Sequence, residues 1–359
     1  MNDSLEPAAD AAQGGAVVKR ARAGFAHVSR RLPGIGLSAL IGLAATFVST
    51  MHGGPQLLYA LFFGVAFHYL SHEPRTRPGI EFCSRSLLRL GVGLLGARIT
   101  ASQIGSLGWP TALIVVAGVL STLGLGLLLG RRLGMTRAQS VLSGGAVAIC
   151  GASAALAISA VLPREKGGDR FTLMLVVTIT VMSTLAMVVY PLVARMLHLT
   201  PELAGLFIGA TIHDVAQVVG AGYTLGRETG DIATVVKLFR VAMLAVVVVS
   251  VGAAFRRSRE QAEETRQPGR PVAPQALVPS FLWLFVAMVV LNSAGVLSAP
   301  LQEGLGSVSR SCLVMAIAAL GMKTSFAQLA SAGWRPFALI LAETLWLAAL
   351  VLTCVLLRR

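Results

Sequence analysis

This sequence has little charge. Only 13% of its 359 residues are Asp, Glu, Lys or Arg, against about 25% in an average soluble domain. With a mean hydropathy of +0.75, too little polar surface remains to coat a water-soluble globule. Aromatic residues make up just 6%, too few for the aromatic girdles of an outer-membrane β-barrel. The four cysteines, Cys83, Cys150, Cys312 and Cys354, stand singly with no CxxC spacing. They predict packing residues, with no metal site, no cofactor and no disulfide framework. The first 30 residues lack the apolar core of a cleaved signal peptide. Ser29-Arg30-Arg31-Leu32 reads as a topogenic positive cluster and not as a twin-arginine signal.

What the chain does have is apolar runs and 38 glycines, which suit tightly packed membrane helices with small residues at their contacts. The composition predicts an all-α polytopic membrane protein. Apolar segments lie near 34–50, 55–70, 84–97, 108–130, 138–162, 170–197, 202–225, 232–255, 278–298, 309–322 and 334–357. Residues 1–32 read as a cytoplasmic N-terminal tail and 33–357 as one transmembrane transporter domain. The hydrophilic stretch 256–275 reads as a cytoplasmic linker loop within it. The net charge of +14 points to an anionic bilayer face, since the arginines form loop clusters and no nucleic-acid fold signature accompanies them.

An internal repeat is visible. Residues 96–109 match 321–334 without a gap at a constant offset of 225, with identities at Gly96/Gly321, Gln103/Gln328, Ser106/Ser331, Gly108/Gly333 and Trp109/Trp334, and positive charge kept at Arg98/Lys323. Duplication with an odd number of crossings between copies gives inverted repeats, a mark of secondary transporters.

Basic clusters at 19–31, 75–89, 131–137 and 256–270 belong on the cytoplasmic side. That rule places the N-terminus inside a bacterial inner membrane. Eleven full crossings would put Arg164, Lys166 and Arg170 outside. Treating 138–162 and 202–225 as broken or re-entrant elements returns them inside and leaves nine crossings. Both elements are glycine-rich, and broken backbone in a bilayer is tolerated where it lines a protein-walled or watery cavity.

The residues with chemical potential gather in and beside those two elements. His213 and Asp214 stand together mid-way along an apolar segment, where an ionisable pair is costly and normally handles ions, protons or substrate. Asp214 is expected to be the coupling residue and His213 a proton relay. Gln217 would share the face of Asp214 on an intact helix and could serve an oxyanion. Lys237 and Arg240, at the start of the next helix, either supply positive charge to an anionic ligand or snorkel to the interface. Ser143, Gly144, Gly145, Gly151 and Ser153 would form a substrate-contacting break, with half-helix N–H groups holding an oxyanion. Arg98 and Lys323 either flank symmetric entrances or anchor helix ends. Glu343 is a second, weaker carboxylate candidate.

GVGLLGARI at 91–99, SGGAVAICGASA at 143–154 and GATIHD at 209–214 together resemble a family of conserved hypothetical bacterial membrane proteins named as sulfate exporters. The likeness runs over nearly the whole chain from Pro33. It implies a multipass inner-membrane protein that exports a small anion. More distantly, at the level of fold alone, the glycine-broken element after the helix pair 88–130 is similar to bile-acid, arsenite and auxin carriers.

The expectation is therefore a secondary transporter, not an enzyme, for a small inorganic or organic anion such as sulfate. Its partners are the lipid bilayer and a proton or sodium coupling ion, with homo-oligomerisation compatible. The competing readings are an intramembrane hydrolase, which Asp214 cannot support without a second nearby carboxylate, and an anion channel, whose flux would not saturate.

Overall fold

A computed structural model describes residues 29–53, 55–163, 168–256, 280–324 and 334–359. Most of the N-terminal tail, Arg164 and Lys166, most of the 256–275 linker and the greater part of the second repeat copy lie outside these residues. Among them every regular element is helical, as the composition requires. Six helices are long and apolar enough to cross a membrane.

In chain order the α-helices are α1 (Leu32–His52), α2 (Gln56–Ala66), α3 (Arg77–Phe82), α4 (Leu88–Leu95), α5 (Ala101–Ser106), α6 (Gly108–Arg132), α7 (Arg137–Ala148), α8 (Ala152–Ser159), α9 (Gly168–Met196), α10 (Pro201–Thr211), α11 (Val215–Leu225), α12 (Arg227–Ala254), α13 (Ser280–Ser293), α14 (Ala299–Lys323) and α15 (Trp334–Leu357). A π-helical turn at Cys83–Leu87 joins α3 to α4. That rod therefore begins several residues before its apolar segment, and α14 likewise starts at Ala299 instead of near 309. Hydropathy missed both extensions because Arg77, Glu81, Gln302 and Glu303 interrupt the apolar run without interrupting the helix.

Local chemistry sets the starts. Thr136 and Gln139 form a reciprocal capping box at α7, satisfying two N–H groups the helix leaves unpaired. Thr200 caps α10, with Pro201 in the first turn, where a missing N–H costs nothing.

Glycine governs the packing. A methyl group at Gly64 of α2 would sit 2.3 Å from Ala318 O of α14, and one at Gly321 would sit 2.4 Å from Leu61 O. These backbones touch, as small residues at membrane helix contacts allow.

Two helix pairs run antiparallel. Lys323 Nζ donates to Ser84 Oγ at 3.3 Å, Ser309 Oγ donates to Gly91 O at 2.6 Å, and Gly306 lies against Arg98, so α14 descends where α3–α4 climbs. Arg358 Nη1 bonds Thr111 Oγ1 at 3.2 Å, Trp346 Nε1 bonds Ser121 Oγ at 3.2 Å, and Gly134 faces Arg335. Helices α6 and α15 are likewise opposed. Segment 96–109 thus joins its two helices at one end of the bundle, while α14 ends and α15 begins at the other.

The two glycine-rich elements are helical hairpins. Gly145 of α7 lies against Ile158 of α8, and Val161 beyond it lies beside Gly252 near the end of α12. The chain returns to the end from which α7 started. In the second hairpin, Gly205 and Gly209 of α10 meet Ile232 and Val236, while Gly222 of α11 meets Gly230. Helix α10 therefore runs parallel to the first half of α12 and α11 runs back along it. The hairpins enter from opposite ends and meet at their tips, residues 149–151 and 212–214. The six helices long enough to cross are α1, α6, α9, α12, α14 and α15, and none of the hairpin half-helices α7, α8, α10 and α11 is among them.

Candidate functional site

At the first tip, Ile149 takes φ −114°, ψ −82° and Gly151 takes φ +60°, a conformation that favours glycine. At the second, Ile212 and Asp214 are extended. Each break exposes the C-terminal carbonyls of one half-helix and the N–H groups of the next, and in a bilayer every such group needs a partner.

The carbonyls find theirs on α12. Lys237 and Arg240 are 0% and 1% exposed, despite being the residue types least often buried. Lys237 Nζ donates to Ile149 O at 2.6 Å and to Ile212 O at 2.9 Å. Arg240 donates through Nε and Nη2 to Ala148 O at 3.0 and 2.6 Å, through Nη2 to Val147 O at 3.1 Å, and through Nη1 to Ile212 O at 3.1 Å and Gly209 O at 3.4 Å. Two cations thus sit on the negative dipole ends of both α7 and α10. Burial overrides the interfacial alternative: neither side chain snorkels.

The opposite faces of the breaks open into a cavity of about 860 Å³. Its wall includes Ala152 and Ser153 at the start of α8, Asp214 and Val215 at the start of α11, and the cationic side chains Arg77, Arg85, Arg89 and Lys323. Glu81 and Asp214 are the acidic members, and Glu81 is paired with Arg77 at 3.3 Å. The N-termini of α8 and α11, each with partial positive charge, share one basic chamber. Arg85 and Arg89 read in the sequence as topological charges only, and their position inside the apolar segment 84–97 was the available signal.

The remaining candidates divide by face. Among Ser143, Gly144, Gly145, Gly151 and Ser153, only Ser153 lines the chamber. Gly144 lies against Leu123 and Gly126 of α6, and Gly151 against Ile179 and His213. Ser143 Oγ donates to Glu343 Oε2 at 2.7 Å. Glu343 Oε1, wholly buried, has no hydrogen-bond partner among the described residues. His213 and Asp214 point apart. The Asp214 side chain faces the chamber, its N–H donating to Ser183 Oγ at 3.1 Å. His213 is buried on the far side, where Nδ1 donates to Val147 O at 3.2 Å, since a carbonyl can only accept, and Nε2 meets Thr344 Oγ1 at 3.0 Å. Because Asp214 is the extended residue that precedes α11, Gln217 does not share its exposure: Nε2 meets Thr184 Oγ1 at 3.5 Å, and Oε1 has no partner among the described residues. Thr184, Ser183 and Thr344 carried no sequence signal of their own.

Arg98 lies at the other end. It lines a second cavity of about 190 Å³ with Tyr223, Arg227 and Arg310, beyond the C-terminal end of α11. The hydroxyl of Tyr223, one of its lining residues, donates to Asp231 Oδ1. Arg98 and Lys323 therefore each line one of two cavities at opposite ends of α11.

The fold and this crossing define a class: multi-pass helical membrane proteins in which two broken elements meet inside the bundle. The chain belongs to the family described as conserved hypothetical protein 698, whose pattern it matches over residues 33–340. It is 48% identical over 324 residues to UPF0324 membrane protein CT0845 of Chlorobaculum tepidum, covering 90% of this chain and 88% of that one. It is 45% identical over 326 residues to UPF0324 membrane protein TauZ of Paracoccus pantotrophus, covering 90% and 94%. A Rhizobium meliloti relative, UPF0324 membrane protein RB0971, is 43% identical over 321 residues. The names of these relatives carry the membrane assignment and no substrate.

Proposed function

We propose that this protein is a secondary carrier for a small anion, with an oxyanion such as sulfate as the leading candidate. One observation carries the reading: the N-termini of α8 and α11 open into the same chamber as Arg85, Arg89 and Lys323, while the carbonyl ends of the preceding half-helices are taken up by Lys237 and Arg240. Positive ends and cationic side chains face the ligand space, and negative ends are hidden from it. Such half-helix N-termini recognise anionic groups in transporters.

In this reading Ser153 and the first N–H groups of α8 and α11 contact the substrate. Asp214, at the chamber floor, couples its passage to protons or cations. His213 ties the second tip to α7 and α15. Segments 96–109 and 321–334 are copies of one ancestral unit, and the chain is an inverted repeat. The antiparallel flanking helices and the hairpins pointing from opposite ends support that.

Helix orientation follows from charge. Arg31, Arg77, Arg85, Arg131, Arg132 and Arg137 lie at the end onto which the large chamber opens, so the positive-inside rule puts that end and the N-terminus in the cytoplasm of a bacterial inner membrane. Export of an anion from a negative interior gains about 2.3 kcal/mol per charge per 100 mV. No covalent step is part of this function.

The test is flux into and out of proteoliposomes with a panel of inorganic and small organic anions. The expected result is saturable flux of at least one anion, strongly reduced by Asp214→Asn. Unsaturable flux without a counter-ion indicates a channel, and undiminished transport by Asp214→Asn removes the aspartate from the mechanism.

A further inference from the structure

Broken carrier helices present two kinds of terminus, and each has its natural ligand: anions for the N–H ends, metal cations or protons for the carbonyl ends. In this protein the second place is filled by the chain itself. Among the described residues the Lys237 ammonium hydrogen-bonds to main-chain carbonyls, one from each hairpin tip, at 2.6 and 2.9 Å. The Arg240 guanidinium, one turn along the same helix face, takes Val147, Ala148, Gly209 and Ile212. The ligand set, several carbonyl oxygens from two unwound segments near the middle of the bundle, is what an alkali metal ion would need, and an ammonium is close to a potassium ion in size. A free cation approaching these oxygens would find them committed and would meet the fixed positive charge.

We propose that Lys237, backed by Arg240, is a tethered substitute for a coupling metal cation, so that the crossing is held together and works without bound sodium. The inference deepens the carrier reading by removing the metal ion from its coupling. It has its own readout, because a bound cation stabilises the folded state whether or not an anion moves.

The experiment measures thermal unfolding of the purified full-length protein in detergent, in sodium, potassium and choline chloride at equal ionic strength. The wild-type melting temperature is expected to be the same in all three. A saturable rise with sodium that choline does not reproduce overturns the proposal. Lys237→Ala frees the Ile149 oxygen and one of the two bonds to the Ile212 oxygen, which Arg240 still holds at 3.1 Å, and this variant is expected to melt lower in choline and to regain part of the loss with sodium or methylammonium. A folded Lys237→Ala protein indifferent to both cations also overturns it. Should that variant fail to fold, Lys237→Arg, which keeps a cation at the tips, must fold and stay insensitive to sodium; sodium-dependent melting of it refutes the idea. Failure of the carrier reading looks different: no anion moves in proteoliposomes, and the melting curves are unchanged. Wild-type anion flux that requires a sodium gradient sinks this inference and leaves the carrier standing.

Discussion

Gly151 shows how much a single position decides. Its φ of +60° and the 2.9 Å approach a methyl group would make to Ile179 Cγ2 leave no room for another residue. Gly151→Ala is expected to destabilise the protein by more than about 1 kcal/mol, seen as a lower melting temperature and poorer recovery from the membrane. Arg240→Lys keeps the charge and loses the planar fork that reaches four carbonyls at once. It is expected to cost about 2 kcal/mol, since hydrogen bonds to charged groups are worth about 1.5–3 kcal/mol each. The same melting assay checks it. At Gln217 the expectation reverses. Its Oε1 is a buried acceptor with no partner among the described residues, so Gln217→Met should be near neutral for stability, and any fall in anion flux without a fall in melting temperature would assign the amide to substrate.

At the scale of elements, close backbone contact sets the interfaces. Gly64 and Gly321 press α2 against α14, and each methyl would meet the other helix's backbone. Gly64→Ala and Gly321→Ala should each destabilise, and because the two sites touch, the double variant should cost less than the sum. A thermodynamic cycle of melting temperatures at fixed detergent measures this. Helix α7 is tied to α15 by Ser143 and Glu343. The glycines and the carboxylate were legible in the sequence; their pairing across 200 residues was not, because helical periodicity reports on neighbours three and four positions away and on nothing beyond.

For the whole molecule, two cavities at opposite ends of α11 define two accessible sides. Cysteine at Ser153, in a background without the native thiols, is expected to react with a membrane-impermeant reagent from the chamber side. Cysteine at Arg227, on the smaller cavity, is expected to react from the other side. Reaction of both from one side would refute the opposed-hairpin geometry.

The sequence by itself determined the membrane class, the helical content, the two glycine-rich elements in which the breaks fall and the presence of ionisable groups at 213, 214, 237 and 240. These follow from composition and local backbone preference, which act within a few residues. Only the tertiary structure decided that the glycine-rich elements turn back, that Asp214 and His213 part company, and that Lys237 and Arg240 face carbonyls instead of the chamber. Those outcomes depend on partners 25 to 131 residues away. A buried cation is directed by whichever unpaired oxygens the finished packing leaves within its reach.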